Sequence, residues 1–387
     1  MNESTFTPGG GQPGAVAGGQ DPSGREAVGS VAVHTFAAHQ SISTTAHQSM
    51  DGHHVNAMAG DRGSGEPARL ADYDDLPQGH FYDPDAEYEP DPEYAATLAP
   101  DAARQRRERV GPTGRPLPYF PIPGPLSEHG PAKIIAMCNQ KGGVGKTTST
   151  INLGAALAEY GRRVLLVDFD PQGALSVGLG VNPMELDLTV YNLLMERGMA
   201  ADEVLLKTAV PNMDLLPSNI DLSAAEVQLV SEVARESTLQ RALKPLLADY
   251  DYIVIDCQPS LGLLTVNALT AAHKVIVPLE CEFFALRGVA LLTETIEKVQ
   301  ERLNPELELD GILATMYDSR TVHSREVLAR VVEAFDDHVY HTVIGRTVRF
   351  PETTVAGEPI TTYASNSVGA AAYRQLAREV LARCHAE

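Results

Sequence analysis

The stretch Lys141-Gly-Gly-Val-Gly-Lys-Thr-Thr148 is the strongest indicator of the fold of this chain. An apolar run, 131–140, precedes it, and residues 147–160 follow with apolar side chains at helical spacing. A glycine-rich turn between a strand and a helix presents backbone N–H groups at the positive end of the helix, where phosphate binds. Lys146 adds a positive charge for the outer phosphates, and the Thr147 hydroxyl can ligate Mg²⁺. The stretch therefore predicts a phosphate-binding loop.

Lys141 is the unusual residue of this loop. The general pattern Gly-x4-Gly-Lys-Ser/Thr has its first glycine where this chain has Gln140. From the residues alone, a solvated loop charge and a functional second lysine remain equally open for Lys141. The residues predicted to bind the nucleotide phosphates are Gly142, Gly143, Val144, Gly145, Lys146, Thr147 and Thr148.

Strand-like and helix-like segments alternate from residue 131 to the C-terminus. Arg163-Val-Leu-Leu-Val-Asp168 is apolar up to its final acid, which is typical of a strand buried on both faces of a parallel sheet. The other predicted strands are 213–217, 252–256, 274–279 and 311–316, and the later predicted helices are 223–233, 237–247, 263–272, 286–303, 324–335 and 368–384. This alternation predicts a doubly wound α/β fold with a mostly parallel sheet, in which ligands bind beyond the carboxyl ends of the strands.

Residues 1–130 have a different composition from the rest of the chain. Between Asp83 and Glu93 every second residue is acidic, with prolines interleaved, and the segment 111–118 reads Gly-Pro-Thr-Gly-Arg-Pro-Leu-Pro. Such a segment buries too little apolar surface to offset its conformational entropy. We predict an acidic, Pro/Gly-rich, disordered leader over 1–130 and one folded domain over 131–387. The leader could mask a basic face, recruit a basic partner or only aid solubility.

Composition narrows the class of protein. A formal net charge of −21 argues against a basic coat over the whole surface, although a local basic patch remains open. The four cysteines are scattered without the spacing of metal ligands, and we expect Cys138 and Cys257 to be small apolar fillers of buried strands. With no signal peptide and no apolar run of 18 residues, we expect a cytoplasmic protein.

Two acidic segments follow predicted strands and complete a nucleotide site with the loop. They are Asp168-Phe-Asp-Pro-Gln-Gly173 and Asp256-Cys-Gln-Pro-Ser-Leu-Gly262. Asp256 has the Walker-B position beside a Mg²⁺ ion, and Asp168 is a candidate for the metal shell, with helix capping as its alternative role. Asp170 is the candidate that orients the attacking water. Together with Thr147, these acids predict a site for ATP and Mg²⁺ that hydrolyses ATP, with Lys146 and Asp170 among its catalytic residues.

These three motifs resemble those of the deviant-Walker-A ATPases, specifically the ParA/Soj branch for chromosome and plasmid partition. The resemblance extends over about residues 131–387. It implies a P-loop NTPase whose ATP-bound subunits form a homodimer. It also implies that Lys141 is catalytic and reaches the phosphates of the partner, that Asp170 supports hydrolysis, and that Gly142 must stay small where the partner approaches.

The same resemblance implies that the dimer binds DNA without sequence preference and that a ParB-type protein stimulates slow hydrolysis. Arg320 and Arg349 match regions where such proteins carry DNA-binding arginines, although a solvated charge or an ion pair is the alternative for each. The protein is then expected to associate with the nucleoid. The final helix, 368–384, is predicted to pack in the core and not to act as a stable membrane anchor.

Other functions remain as alternatives. A related ATPase could position a protein cargo, such as a polar or division-site complex, with the same nucleotide cycle. A MinD-like membrane switch would need a distinct basic amphipathic anchor. An iron-protein reductase would use paired cysteines, for which Cys257 and Cys281 are the candidates. An ATP-binding scaffold would show little turnover even with its partners.

Overall fold

The computed structural model describes residues 110–282 and 285–385. All of them lie in the compact unit His80–Glu387. The predicted disorder of residues 1–109, including the acidic run, lies outside the described residues and stays a prediction.

A seven-stranded sheet forms the centre of this unit. The strands are β1 (Lys133–Met137), β2 (Val164–Phe169), β3 (Leu206–Lys207), β4 (Met213–Leu216), β5 (Tyr252–Cys257), β6 (Lys274–Glu280) and β7 (Glu308–Thr315). Their order in the sheet is β3-β4-β2-β5-β1-β6-β7. Only the short edge strand β3 is antiparallel to its neighbour. The predicted α/β class with a mostly parallel sheet is confirmed, and every predicted strand is present.

Helices cover both faces of the sheet. The described residues form α1 (Lys146–Glu159), α2 (Ala174–Gly178), α3 (Val190–Met195), α4 (Ala201–Val204), α5 (Leu222–Gln228), α6 (Thr238–Leu243), α7 (Leu263–Ala271), α8 (Ala285–Arg302), α9 (Val322–Phe335), α10 (Arg349–Ala356), α11 (Ile360–Tyr363) and α12 (Val368–His385). The predicted helices 223–233 and 237–247 are shorter than expected, because each ends in a 3₁₀ turn. Pro245, in the second turn, cannot donate the backbone hydrogen bond that α6 would need to continue. The unpredicted helices are too short to show a sustained apolar period.

Two hydrophobic clusters pack on the two faces of the sheet. Close packing of α1 on β2 requires Gly154, because a Cβ atom there would lie 2.6 Å from Leu166 Cδ2. Tyr373 and Leu376 of α12 are buried in the same cluster as α1, which confirms that the final helix packs in the core. Within the described residues, no helix is both long enough and apolar enough to cross a membrane.

Residues 110–130, which the sequence assigned to the leader, contact the domain. Arg115 donates hydrogen bonds to the backbone carbonyls of Asp336 and Val339. Farther along, the side chain of Arg162 donates to the carbonyl of Gly124 at 2.9 Å. This part of the predicted leader is therefore attached to the domain, which corrects the expectation of disorder up to residue 130. Long-range contacts of this kind leave no periodic signal in the sequence.

Candidate nucleotide-binding site

The phosphate-binding loop connects β1 to the N-terminus of α1. Gly143 and Gly145 have positive φ angles of 75° and 84°, a region that favours glycine. A Cβ atom at Gly143 would meet no atom within 4 Å, so the space over the loop is open. The Nζ of Lys146 donates to the carbonyl oxygen of Lys141 at 3.1 Å and closes the loop. The loop thus has the shape and the positive end of a helix that phosphate binding requires.

Side chains from neighbouring strands hold this loop in place. Asn139 donates to the carbonyl of Pro278 in β6 at 2.7 Å, and its Oδ1 accepts the N–H of Lys141 at 2.9 Å. Thr315, at the end of β7, donates to the carbonyl of Val144 at 2.8 Å. Since β1, β6 and β7 are adjacent in the sheet, the predicted loop is fixed by strands distant in sequence.

Thr147 and Asp256 form the candidate metal site. The Thr147 hydroxyl donates to Asp256 Oδ2 at 2.6 Å. Asp256 is 1% exposed, and its Oδ1 is buried without a hydrogen-bond partner among the described residues. Burial, with a smaller effect of the Asp168 charge, raises the pKa of Asp256 to about 8. An unsatisfied buried carboxylate oxygen beside a threonine hydroxyl fits a Mg²⁺ ion bound by Thr147, with Asp256 close to its coordination shell.

Asp168 is fully buried, but its contacts are structural. Its Oδ2 accepts hydrogen bonds from the backbone N–H and the hydroxyl of Ser176 at 2.8 Å and 2.7 Å. Its Oδ1 accepts the N–H of Asp170 at 3.4 Å. Burial raises the pKa of Asp168 to about 7, although the bonds from Ser176 oppose that shift. These contacts support the capping role for Asp168; a role in the metal shell stays a prediction.

Asp170 lies in the turn after β2, at the same edge of the sheet. Its side chain is half-buried, and Oδ1 accepts the N–H of Gln172 at 2.9 Å. Asp168 and Asp256 are register partners on β2 and β5, and the N–H of Asp170 reaches Asp168, so the three acids lie close together. Asp170 is the most exposed of the three carboxylates. This position leaves Asp170 open to solvent, as a residue that orients water requires.

Lys141 points toward two carboxylates of its own chain. Its Nζ lies 3.0 Å from Oε2 of Glu280, the last residue of β6, and 2.6 Å from Oε2 of Glu282, two residues later. Arg346 also reaches Glu280, at 3.4 Å. Burial lowers the pKa of Lys141, but the hydrogen bonds and charges of the two glutamates outweigh it and raise the pKa. Neither glutamate belongs to a sequence motif, because only the sheet brings them beside the loop.

A cavity of about 380 Å³ opens beside the phosphate-binding loop. Its wall is partly apolar, and its lining includes Gly145, Thr148, Met316, Phe350, Pro351 and Tyr373. The Tyr373 hydroxyl is within 3.2 Å of the Ser149 hydroxyl in α1, and the Phe350 and Tyr373 rings meet edge to face. A cavity of this size and lining, next to a phosphate loop, can hold a nucleotide base. Gly145 and Thr148 belong to the predicted loop, but no sequence motif marked Met316, Phe350, Pro351 or Tyr373, since these come from three other segments.

The two candidate DNA-binding arginines lie on adjacent segments. A bridge between Tyr317 and Gly345 brings these segments together beyond the end of β7. Arg320 is 87% exposed and forms an ion pair with Asp318 at 2.8 Å. Arg349 is 55% exposed and pairs with Glu352 at 2.8 Å. Both arginines are thus exposed, as a DNA contact requires. Each also forms an ion pair, which was the alternative to a role in DNA binding.

The cysteines are buried in the way that the sequence predicts. Cys257 ends β5 and Cys138 directly follows the neighbouring β1; their Sγ atoms lie 2.8 Å apart, and each residue is 1% exposed. Cys281 is 4% exposed. Within 110–282 and 285–385, no group of three or more His, Cys, Asp or Glu residues is arranged to hold a metal. Buried thiols of this kind do not favour the iron-protein alternative, in which cysteines must reach a cluster.

Comparison with known proteins gives the family of this chain. The family model described as an AAA domain matches residues 132–309. Chromosome-partitioning ATPase Soj of Treponema pallidum is 49% identical over 251 residues, which are 65% of this chain and 98% of that protein. An uncharacterized protein of Mycobacterium tuberculosis is 69% identical over 274 residues, 71% of this chain and 86% of that protein. The match to Soj spans nearly the whole of that relative.

Solved structures show the same fold. The structure named cobyrinic acid a,c-diamide synthase, from Mycobacterium smegmatis, is similar with a TM-score of 0.59 and 46% identity. The similarity covers 66% of this chain and 96% of that protein, which was solved with an ATP analogue and magnesium bound. These bound groups agree with the predicted cofactors, and the loop, Thr147 and Asp256 are the residues here that fit them.

Proposed function

The chain belongs to the ParA/Soj family of chromosome-partitioning ATPases, and from that membership we propose that it is an ATP-driven switch for DNA segregation. In this proposal the protein binds ATP with Mg²⁺, forms a homodimer, binds DNA without sequence preference and releases it after slow hydrolysis. The observation that supports it most is that one phosphate loop contains both Lys146 and a second lysine, Lys141, and ends in the hydrogen-bonded pair of Thr147 and Asp256.

Each part of the nucleotide has a place in this proposal. The N–H groups of residues 142–148 and the ammonium group of Lys146 bind the phosphates. The cavity lined by Phe350 and Tyr373 holds the base. Thr147 and Asp256 hold Mg²⁺, which when bound neutralises charge on the transferred phosphoryl group. Asp170 accepts a hydrogen bond from the attacking water and so directs the water at that group.

Dimerisation depends on Lys141. In the single chain, Glu280 and Glu282 hold its ammonium group beside β6. We propose that these contacts are given up when the lysine reaches the phosphates of a partner subunit, which offer more negative charge. Gly142 stays small for the same approach, and a Cβ atom there would now meet only Pro259, at 4.0 Å. The dimer, and therefore every function of the dimer, then depends on bound nucleotide.

DNA binding rests on the exposed arginines beyond β7. Arg320 and Arg349 would exchange their carboxylate partners for DNA phosphates, and dimerisation would double the number of contacts. This part of the proposal includes a cytoplasmic protein that associates with the nucleoid and a ParB-type partner that stimulates hydrolysis. Both come from the resemblance to the partition ATPases.

DNA co-sedimentation over a salt series tests the proposal. We expect binding with ATP and Mg²⁺ that weakens steeply between about 50 and 200 mM salt. The Lys146→Ala variant should bind no DNA under the same conditions, because it holds nucleotide poorly. If ATP turnover is present while DNA binding is absent at every salt concentration, the segregation role is wrong and the positioning of a protein cargo is the better reading.

A further inference from the structure

The segment between the leader and the sheet is proline-rich and has little conformational freedom. Five of the ten residues from Pro116 to Pro125 are proline. Proline fixes its own φ near −65° and restricts the residue before it to extended conformations. Within 115–125, here called the proline strip, only Tyr119 is neither a proline nor a residue that precedes one. The strip is therefore restrained to an extended, polyproline-like form by its own sequence.

The domain holds the strip near both ends. At its start, Arg115 donates to the carbonyls of Asp336 and Val339. Near its end, the carbonyl of Gly124 accepts from Arg162 at 2.9 Å. Beyond the strip, His129 lies 2.8 Å from Asp251. A flexible spacer needs no such attachment, so the strip is a fixed feature of the surface.

Between these attachments, large apolar side chains face the solvent. The exposed fractions are 84% for Tyr119, 64% for Ile122 and 47% for Leu117, while Phe120 is half-buried. Residues 116–127 contain no charged side chain. A row of exposed aromatic and aliphatic groups on a rigid backbone is costly in water unless another surface covers it for part of the time.

The backbone narrows the kind of surface that can cover the strip. The five prolines have no N–H group and fall on both sides of the extended strip, at 116 and 118 and at 121, 123 and 125, so no register of an added strand presents an unbroken row of donors to the edge of a sheet. The same prolines exclude a helix that would lie in a groove. The only charged side chain of the strip, Arg115, is bound to carbonyls of the domain, so the strip offers nothing to a cluster of arginines or acids. Of the common modes of peptide recognition, this leaves docking of a polyproline helix between aromatic side chains.

We propose that the proline strip is a docking site for a partner protein whose groove is lined with aromatic side chains. Arg162, which binds Gly124 of the strip, lies two residues before β2, and Asp251, which contacts His129 just beyond the strip, immediately precedes β5. The nucleotide site lies at the opposite, carboxyl ends of these strands. A partner bound to the strip thus leaves the nucleotide edge open. The strip couples the ATPase to this partner in every nucleotide state, independently of the segregation role proposed above.

Site-specific photo-crosslinking in the host cell identifies the partner. The full chain carries p-benzoylphenylalanine in place of Tyr119 or, as a control of similar exposure, in place of Val233, which is 91% exposed. We expect a protein adduct from position 119 that position 233 does not form. The adduct should contain a domain with an aromatic-lined groove. No specific adduct, an adduct with a second copy of this chain, or one with lipid would each overturn the proposal.

Binding of the purified partner to the purified full chain completes the test. We expect Tyr119→Ala and Ile122→Ala each to weaken this binding by about tenfold, and a peptide of residues 114–126 to compete. Val233→Ala should bind like the unchanged chain, and all three variants should keep the same ATPase rate and melting temperature. Unchanged affinity of the strip variants, or failure of the peptide to compete, would show that the partner binds elsewhere.

Discussion

Neutralising the glutamates that hold Lys141 should make the ATP-bound dimer form more readily. Lys141 lies 3.0 Å from Glu280 and 2.6 Å from Glu282, with 46% of its own side chain exposed. An exposed ion pair contributes about 0.2–1 kcal/mol, so losing both pairs in both subunits changes the dimer by about 0.8–4 kcal/mol, or about 4- to 900-fold in dissociation constant. We expect Glu280→Gln and Glu282→Gln together to tighten the dimer within that range.

Sedimentation velocity with Mg²⁺ and a non-hydrolysable ATP analogue measures this change. Glu301→Gln, an exposed neutralisation on α8 that does not touch Lys141, is the matched control. The difference from the unchanged chain should shrink at about 0.5 M salt, because salt screens exposed ion pairs. A dimer that is unchanged, or weaker, in the double variant would refute the reasoning, since the glutamates would then act within the dimer and not against it.

Three other perturbations test the site. Lys146→Ala should lower ATP affinity by at least about tenfold through loss of a charge-assisted phosphate contact, measured by calorimetry; unchanged affinity would remove Lys146 from the site. Because the pKa of Asp256 is raised to about 8 in the folded chain, the folded state holds this proton more tightly than the unfolded state. The free energy of unfolding without nucleotide and Mg²⁺ should therefore fall as pH rises from about 4 to 8. Denaturant titrations of Asp256→Asn should show a shallower fall with pH. If the variant and the unchanged chain lose stability equally over this range, the raised pKa of Asp256 is contradicted. Arg320→Glu with Arg349→Glu should abolish ATP-dependent DNA binding while leaving ATP affinity intact. The control Arg302→Glu, on α8, should bind DNA normally. Full DNA affinity in the double variant would exclude the surface of Arg320 and Arg349 as the DNA-binding site.

The regular elements were predictable because their signals are local. The apolar runs of β2 and β5 and the long period of α12 follow from side chains that neighbour each other in sequence. Helices such as α3 and α10 were missed because six or eight residues do not establish a period. The attachment of residues 110–130 was missed for another reason. It depends on Arg115, a single side chain that bonds to carbonyls more than two hundred residues away.

The phosphate loop and the class of the sheet follow from local patterns of residues. Glycine at 143 and 145 permits the left-handed backbone of the loop, and the lysine and threonine that follow supply its charge and its hydroxyl. The surroundings of the loop depend on tertiary contacts: the carboxylates that hold Lys141, the hydrogen bonds between Asp168 and Ser176, and the cavity for a base. These contacts join segments that are distant in sequence. They are set by strand order and side-chain packing, which no local pattern of residues encodes.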